Sequence, residues 1–328
     1  MIINGGLYEF GGVMMFGKMM NSFYYGKSGK GDYNKEDLPS NRWQLFFEML
    51  RVRLAGLLRL NFLYVLIMVP LGILAVMTVL AAVSELSAML NEAGEMVGDA
   101  AAFVTRIQGL AYTGLVFAIP CIAITGPFTA GISYVTRNWA RDEHSFVWSD
   151  FKDAMKENWK QALLTSCITA VLPILMYVGY FTYGQMAQDS GVFFVIPQVL
   201  LMLLGLVWSL MLIYIYPLMV SYKLTYGQLI RNALLLAVGR LPQSLGLRLM
   251  SLMPLALALV VFYFTSALEI ILLVLLFLYI IFLFAFNRFC YASYTNGVFD
   301  KYINSRIEGA EVNRGLSKEE DDDEDEEE

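Results

Sequence analysis

The densest cluster of prolines, glycines and hydroxyl side chains lies within an apolar stretch, Ile119–Tyr134, with the sequence IPCIAITGPFTAGISY. A proline inside a helix removes a backbone hydrogen bond, and carbonyls freed in this way bind solutes in transporters with broken helices. Small residues also allow two helices to approach closely, and we favour that interpretation over a solute site. The candidate residues for a helix break or a solute-lining surface are Pro120, Thr125, Gly126, Pro127 and Thr129.

Catalytic chemistry has little support in the sequence. General acid–base catalysis needs positioned titratable groups, and the long apolar segments contain no carboxylate, histidine or lysine. The single histidine, His144, lies in a charged loop, and the cysteines at 121, 167 and 290 lack the spacing of metal ligands. We therefore expect no catalytic, cofactor-binding or metal-binding residues and no enzymatic activity.

A second cluster, of aromatic and charged residues, lies in the polar segment Thr136–Gln161. Ser149 is a suitable N-cap, and acidic residues follow it in the first turn of a predicted amphipathic helix. Three of the five tryptophans lie here, and indole rings favour the headgroup zone of a bilayer, so we expect this helix to lie along the membrane surface. The candidate partner-binding residues are Trp139, Trp148, Asp150, Phe151, Trp159 and Lys160.

Six long apolar segments must position these clusters. Hydrophobic residues make up 58% of the chain and its mean hydropathy is +0.57, and each segment approaches or exceeds the roughly 20 residues that cross a bilayer as a helix. We predict an all-α membrane protein, a six-helix transmembrane bundle with amphipathic helices at the cytoplasmic interface. The spans are about Leu60–Val83, Gly109–Val135, Ala162–Gln185, Val192–Tyr222, Met250–Ala267 and Ile270–Asn287.

Charge sets the orientation of the spans. Of the 23 Lys and Arg residues, all but Arg106 lie on one side of the predicted membrane. Because basic residues are retained on the cytoplasmic side, the sequence predicts that both termini are cytoplasmic. The lipid bilayer is the one partner that composition implies directly, and nothing indicates binding to nucleic acid.

The chain divides into three regions. Residues 1–59 form a cytoplasmic N-terminal region, in which 41–58 is an amphipathic helix or the start of a longer first helix. Residues 60–287 form the membrane domain, with a parallel repeat suggested between 109–185 and 192–267; in the second unit, Thr225 and Gln228 predict a capped helix that ends at Gly239. Residues 288–328 form a cytoplasmic tail, acidic and disordered from about 315.

One stretch resembles a known family. The residues ITGPFTAGISYVTRNWARDEHSFVWSDFKDAMKENWKQ at Ile124–Gln161, with FGKMMN at Phe16–Asn21 and NFLYVL at Asn61–Leu66, are similar to the YesL-like bacterial membrane family, also called domain of unknown function 624. The resemblance implies the cytoplasmic membrane of a bacterium and, because members are often encoded beside carbohydrate-uptake genes, a link to that process. It supplies no catalytic residues. The chain departs from the family pattern at about Ile67–Phe117, which adds a span and an acidic loop.

Two functions fit these features. The first is a non-enzymatic accessory or interaction protein, linked to carbohydrate uptake, whose cytoplasmic face binds a sugar transporter subunit or another membrane protein. The alternative is a permease-like facilitator of a small neutral solute, which rests on the proline-rich spans and the suggested repeat. The absence of acids, bases and histidine from the spans argues against a proton-coupled pump.

Overall fold

The computed structural model describes residues 39–90, 97–265 and 268–317. The residues before 39 and the acidic run at 319–328, with the predictions made for them, lie outside this part. The described residues form nine α-helices in chain order: α1 (Arg42–Ala88), α2 (Ala100–Ala123), α3 (Thr125–Trp139), α4 (Val147–Ser190), α5 (Val195–Ser221), α6 (Tyr226–Gly239), α7 (Leu241–Thr265), α8 (Leu268–Leu278) and α9 (Phe284–Tyr302). Short 3-10 turns occupy Val192–Phe194 and Asn304–Arg306, and a π-helical turn at Tyr279–Leu283 joins α8 to α9.

The prediction of an all-α protein with six spans is confirmed. Six helical segments in the described part are long and apolar enough to cross a membrane: Arg42–Ala88, Ala100–Ala123, Val147–Ser190, Val192–Ser221, Leu241–Thr265 and Ile270–Arg306.

The second span differs from its predicted bounds of Gly109–Val135. It begins earlier, at Ala100, where the Asp99 carboxylate accepts a hydrogen bond from the Ala101 amide at 2.9 Å and caps α2. It also ends earlier, at Ala123, because the regular helical pattern is interrupted at Ile124, a turn residue whose φ and ψ stay in the right-handed helical region, before α3 begins. The predicted span therefore combines parts of two helices, of which α2 alone has the length and composition of a span.

The first and third spans extend beyond the predicted apolar segments. Asn41 caps α1 by accepting from the Gln44 amide at 2.9 Å, and the helix runs for 47 residues, roughly 70 Å at 1.5 Å per residue. The alternative that 41–58 starts a longer first helix is therefore correct. In α4, the segment predicted as a separate surface helix begins at Val147, before Ser149, and continues into the span as one 44-residue helix. No Gly or Pro interrupts the junction near Ala162.

The helix predicted after the fourth span is confirmed as α6. The Thr225 amide donates to Gln228 Oε1 at 3.0 Å in a complete capping box, and the helix ends at Gly239. Arg240 then connects α6 to α7 within one residue.

A buried amide on α1 supports the π-helical turn. Asn61, fully buried, donates to the carbonyls of Tyr279 at 3.0 Å and Ile280 at 2.7 Å, and accepts from the Ala285 amide at 2.9 Å. A π turn displaces the regular backbone pairing, and this buried side chain provides hydrogen bonds to the backbone there. The contact fixes α1 against the last membrane-spanning segment.

The packed core lies at one end of the bundle, which we call the basic end. It comprises residues 42–61, 125–170, 210–248 and 285–317, which carry most of the basic residues in the described part. One core cluster surrounds Tyr214 and Leu218 of α5, and the other joins Leu57 and Leu60 of α1 to Phe289 of α9. By contrast, the most apolar 18 residues of α1 and of α7 include no buried residue. Burial is therefore concentrated at the basic end, where the core holds the spans together.

Candidate functional site

The helix break at Ile124 is held by a side chain from α4. In a continuous helix the ring of Pro127 would clash with the carbonyl of Ala123, four residues earlier. Proline also has no amide hydrogen to donate to that carbonyl. Ser166 Oγ instead donates to the Ala123 carbonyl at 2.5 Å. Pro127 is the third residue of α3, a position at which a helix needs no intrahelical amide donor. The carbonyl that Pro127 leaves without a backbone partner is therefore hydrogen-bonded at this junction between two helices.

Gly126 allows α3 and α4 to approach each other at this junction. A Cβ added at residue 126 would lie 2.7 Å from the carbonyl carbon of Ala162, and a Cβ at Gly131 would lie 2.7 Å from the carbonyl oxygen of Phe151. Real Cβ atoms do not come this close, so both glycines are required by backbone-to-helix contact. The two glycines are five residues apart and place much of α3 against α4.

The other candidate solute-lining residues satisfy their hydroxyls within the protein. Thr125 donates to the Ile122 carbonyl at 2.7 Å. Thr129 donates to the Thr125 carbonyl at 2.9 Å and lies 2.7 Å from the hydroxyl of Tyr64 on α1. Both threonines are buried, whereas Pro120 is exposed on α2. The structure brings Thr125, Gly126, Pro127 and Thr129 together in a helix contact and leaves Pro120 outside it.

Two of the candidate partner-binding residues belong to the core. Trp139 is 2% exposed and its ring covers Gly56, where an added Cβ would meet the indole at 2.8 Å. Phe151 is 4% exposed and packs against α3 near Phe128. These aromatics join α1, α3 and α4 at the basic end and offer no free surface.

The remaining candidates lie on or near the outward face of α4. The Asp150 carboxylate accepts from Ser145 Oγ at 2.6 Å and from the Phe146 amide at 2.9 Å, so it caps the helix start. Trp148 is 62% exposed and Trp159 49% exposed. The Lys160 ammonium lies 5.7 Å from the Trp159 ring centroid. A rigid helix therefore presents two indoles to the surroundings, with a cation beside the second.

An ion-pair network fixes the turn between α3 and α4. Arg137 donates to the Val220 carbonyl at 2.9 Å, near the end of α5, and lies 3.8 Å from the Glu143 carboxylate. Burial lowers the pKa of the Arg137 guanidinium, and the nearby Glu143 opposes that change. Arg141 and Arg314 also approach Glu143, at 3.3 and 3.4 Å. One carboxylate thereby connects the α3–α4 turn to the C-terminal segment.

The C-terminal segment after α9 is bound to the start of α1. The Asp300 carboxylate accepts from Arg42 at 2.8 Å and from the Asn313 amide at 3.2 Å. It also accepts from the Asn304 amide group at 2.6 Å. The Ser317 amide donates to the Pro39 carbonyl at 3.0 Å. The last described residues thus lie against the basic end.

A polar pocket of about 240 Å³ opens beside this network. Tyr222 donates to Asn304 at 2.7 Å on one wall, and burial, followed by the Asp300 carboxylate, raises the pKa of Tyr222 to about 12. Ser221 Oγ is buried without a hydrogen-bond partner in the described part of the chain. The lining residues are Arg141, Ser221, Tyr222, Asn296, Phe299, Asp300, Asn304, Ala310 and Glu311.

The residue types that line this pocket are more typical of a binding site for a polar group than of a catalytic site. A nucleophile needs an adjacent base, and no cysteine, histidine or lysine lines the pocket. The Asp300 carboxylate is held by its hydrogen-bond donors and forms an ion pair with Arg42. Within residues 39–90, 97–265 and 268–317, no group of three or more His, Cys, Asp or Glu side chains is placed to hold a metal ion.

A second, apolar groove of about 740 Å³ lies between α2, α4 and α5, away from the basic end. Its lining includes Leu115, Pro173, Met176 and Leu206. The Trp208 indole at its wall donates to Thr169 Oγ1 at 3.0 Å. A groove of this composition matches lipid chains or another apolar helix better than a hydrophilic solute.

Sequence reasoning missed the polar residues that organise the basic end. Arg42, Tyr222, Asp300 and Asn304 are far apart in the chain, and each is unremarkable among its neighbours. Asn61 did carry a signal, because it is an amide at the start of an apolar segment, where an unpaired polar group is costly. The distribution of charge along the sequence assigns such residues to one side of the membrane but does not show which of them pair.

The comparisons with known proteins identify one region. Residues 107–180 match the family described as "Protein of unknown function, DUF624", which confirms the resemblance. This region spans the later part of α2, all of α3 and most of α4, so it contains the helix break, the glycine contacts and the outward indoles. No curated protein and no solved structure matches the chain.

Proposed function

We propose that this chain is a non-enzymatic membrane protein whose basic end binds a partner protein. The observation that carries the proposal is the distribution of packing: the core and polar network lie at the basic end, while none of the most apolar 18 residues of α1 or of α7 is buried in the described part. Rigid structure is therefore concentrated where polar and aromatic side chains are displayed.

The proposed docking surface is the outward face of α4. Trp148, Trp159 and Lys160 project from a helix whose opposite face, through Phe151 and Ala154, is buried. Tryptophan is enriched among residues that dominate binding energies. Because the start of the helix is capped by Asp150 and the turn before it is held by ion pairs, little conformational entropy is lost when a partner binds.

The positive-inside rule supports a cytoplasmic location for this surface. We propose that the basic end faces the cytoplasm of a bacterium and that both termini lie on that side. The family resemblance suggests a partner connected with carbohydrate uptake, and we propose a membrane subunit of a sugar transporter. The spans' exposed apolar faces, such as Leu273 and Phe277, are compatible with a partner that shares the bilayer.

Affinity purification from native membranes in mild detergent tests this proposal. The wild-type chain should recover a stoichiometric partner, and Trp148→Ala should weaken the complex about thirtyfold, as expected for about 2 kcal/mol at a binding hot spot. Tyr263→Ala is the matched control, because this aromatic is 81% exposed on α7 away from the basic end. Failure to recover any stoichiometric partner would count against the proposal.

The helix break at Ile124 is the feature that favours the second hypothesis, a facilitator of a small neutral solute. That hypothesis predicts flux of such a solute into proteoliposomes and its loss on replacing Pro127 or Thr129. The glycine-mediated contact and the internally bonded threonines instead support a structural role for the break. Solute flux by the purified protein alone would replace the docking proposal with the facilitator.

A further inference from the structure

Two arginines on neighbouring helices share one tyrosine ring at the basic end. The guanidinium carbons of Arg248 on α7 and Arg288 on α9 lie 5.7 and 5.9 Å from the centroid of Tyr291. Arg288 also lies 5.3 Å from the Tyr216 centroid on α5. Three helices thus bring two positive charges to the same aromatic cluster.

This arginine pair lacks a counter-charge in the part of the chain that the structure describes. Arg42, Arg137 and Arg141, among others, each approach a carboxylate. Arg248 instead donates to the Ser209 carbonyl and, at 3.3 Å, to the Tyr291 hydroxyl, and its Nε is buried without a partner. Two partly buried cations at 5.7 and 5.9 Å from the same ring centroid repel each other, so the site favours an anion.

The position along the helices indicates what kind of anion. Arg248 lies two residues before the apolar segment that begins at Met250, and Arg288 follows directly the segment that ends at Asn287. Both therefore lie where an apolar span meets the polar zone, at the depth of lipid phosphates. Leu249, 60% exposed, and the exposed Met250 lie next to Arg248 and can contact acyl chains.

We propose that Arg248 and Arg288 form a binding site for the phosphate group of an anionic phospholipid. A guanidinium can bind phosphate oxygens through two parallel hydrogen bonds, and basic pockets between transmembrane helices on the cytoplasmic side bind lipid headgroups. Tyr216 and Tyr291 hold the guanidinium groups in place through cation–π contacts. The lipid supplies the negative charge that the described residues do not, and it bridges α5, α7 and α9.

Native mass spectrometry of the full chain in detergent, titrated with phosphatidylglycerol or phosphatidylcholine, tests the site. We expect one phosphatidylglycerol to bind the wild type in preference to phosphatidylcholine. Arg288→Gln should raise the Kd for phosphatidylglycerol at least tenfold, and Arg248→Gln should do the same. Arg231→Gln removes the same charge from an exposed position on α6 and should leave the Kd unchanged.

Arg288→Gln is the decisive variant, because Arg288 makes ring contacts but no hydrogen bond or ion pair in the described part, so the fold does not depend on its pairing. An unchanged Kd in this variant would overturn the site. An equal loss in Arg231→Gln would show that binding follows net charge alone. Stabilisation of the purified protein by millimolar inorganic phosphate, without any by phosphatidylglycerol, would assign the site to a soluble anion and overturn the lipid proposal.

Discussion

The contact between α3 and α4 predicts that Gly126→Ala destabilises the protein. The new methyl group would lie 2.7 Å from the Ala162 carbonyl carbon and would also crowd Ser166, whose hydroxyl bonds the carbonyl freed by Pro127. Overpacking of this kind costs about 1–3 kcal/mol, and loss of the Ser166 hydrogen bond adds about 1 kcal/mol. The better helix propensity of alanine offsets up to about 1 kcal/mol. We expect a net loss of about 1–4 kcal/mol.

Thermal unfolding in detergent, followed with a thiol-reactive dye, measures this change. Cys290 is buried on α9 and becomes reactive when the core opens. Gly109→Ala is the matched control, because a Cβ at that position of α2 meets nothing within 4 Å. Gly126→Ala should unfold at a clearly lower temperature than the control. If the two variants unfold together, or if Gly126→Ala is the more stable, the close contact does not hold the helix break.

Three further predictions concern a buried amide, a phenol and the topology. Asn61→Leu should lower the free energy of unfolding by about 1–3 kcal/mol, because backbone groups at the π-helical turn lose their partner; an unchanged denaturation midpoint would contradict this. The pKa of Tyr222, raised from 10.0 to about 12, predicts stability that is complete below pH 10 and declines as the pH rises to about 12; Tyr222→Phe should decline less, and an identical decline would remove the phenol as the cause. In intact cells an impermeant maleimide should label Asp189→Cys and spare Lys152→Cys, with the wild type as background; the reverse result would invert the orientation.

The sequence predicts the spans well, because each depends on local composition. Six apolar runs separated by charged loops define six crossings whatever their neighbours do, and the described part of the chain has six helices suited to cross a membrane. The Thr225 capping box is equally local, and α6 begins and ends as predicted. The positions at which α1 and α4 end depend less on local sequence. A helix continues where no residue terminates it and where its side chains are stabilised by packing. Buried Leu45 and Met49 provide that packing for α1.

The helix break shows why other features escape sequence analysis. Pro70, Pro173, Pro217 and Pro254 all lie inside continuous helices, whereas the helix ends shortly before Pro127. What distinguishes Pro127 is its tertiary surroundings: Gly126 leaves room for α4, and Ser166, 43 positions after Ala123, donates a hydrogen bond to the Ala123 carbonyl. The polar pocket is tertiary in the same sense, because its residues come from the α3–α4 turn, the end of α5, α9 with the turn after it, and the C-terminal segment. Residue types alone do not reveal such partners.

The physics of the bilayer accounts for the position of the core. In lipid, apolar side chains gain nothing by leaving an apolar solvent, so helices there associate through close packing and polar contacts. Where α1 and α4 extend past the apolar segments, water is the solvent and burial is favourable. The buried Leu45 and Phe151 lie in those extensions. It follows that the basic end can stay folded while the spans adjust to lipids or to another membrane protein, which is the mechanical requirement of a docking protein held in the bilayer.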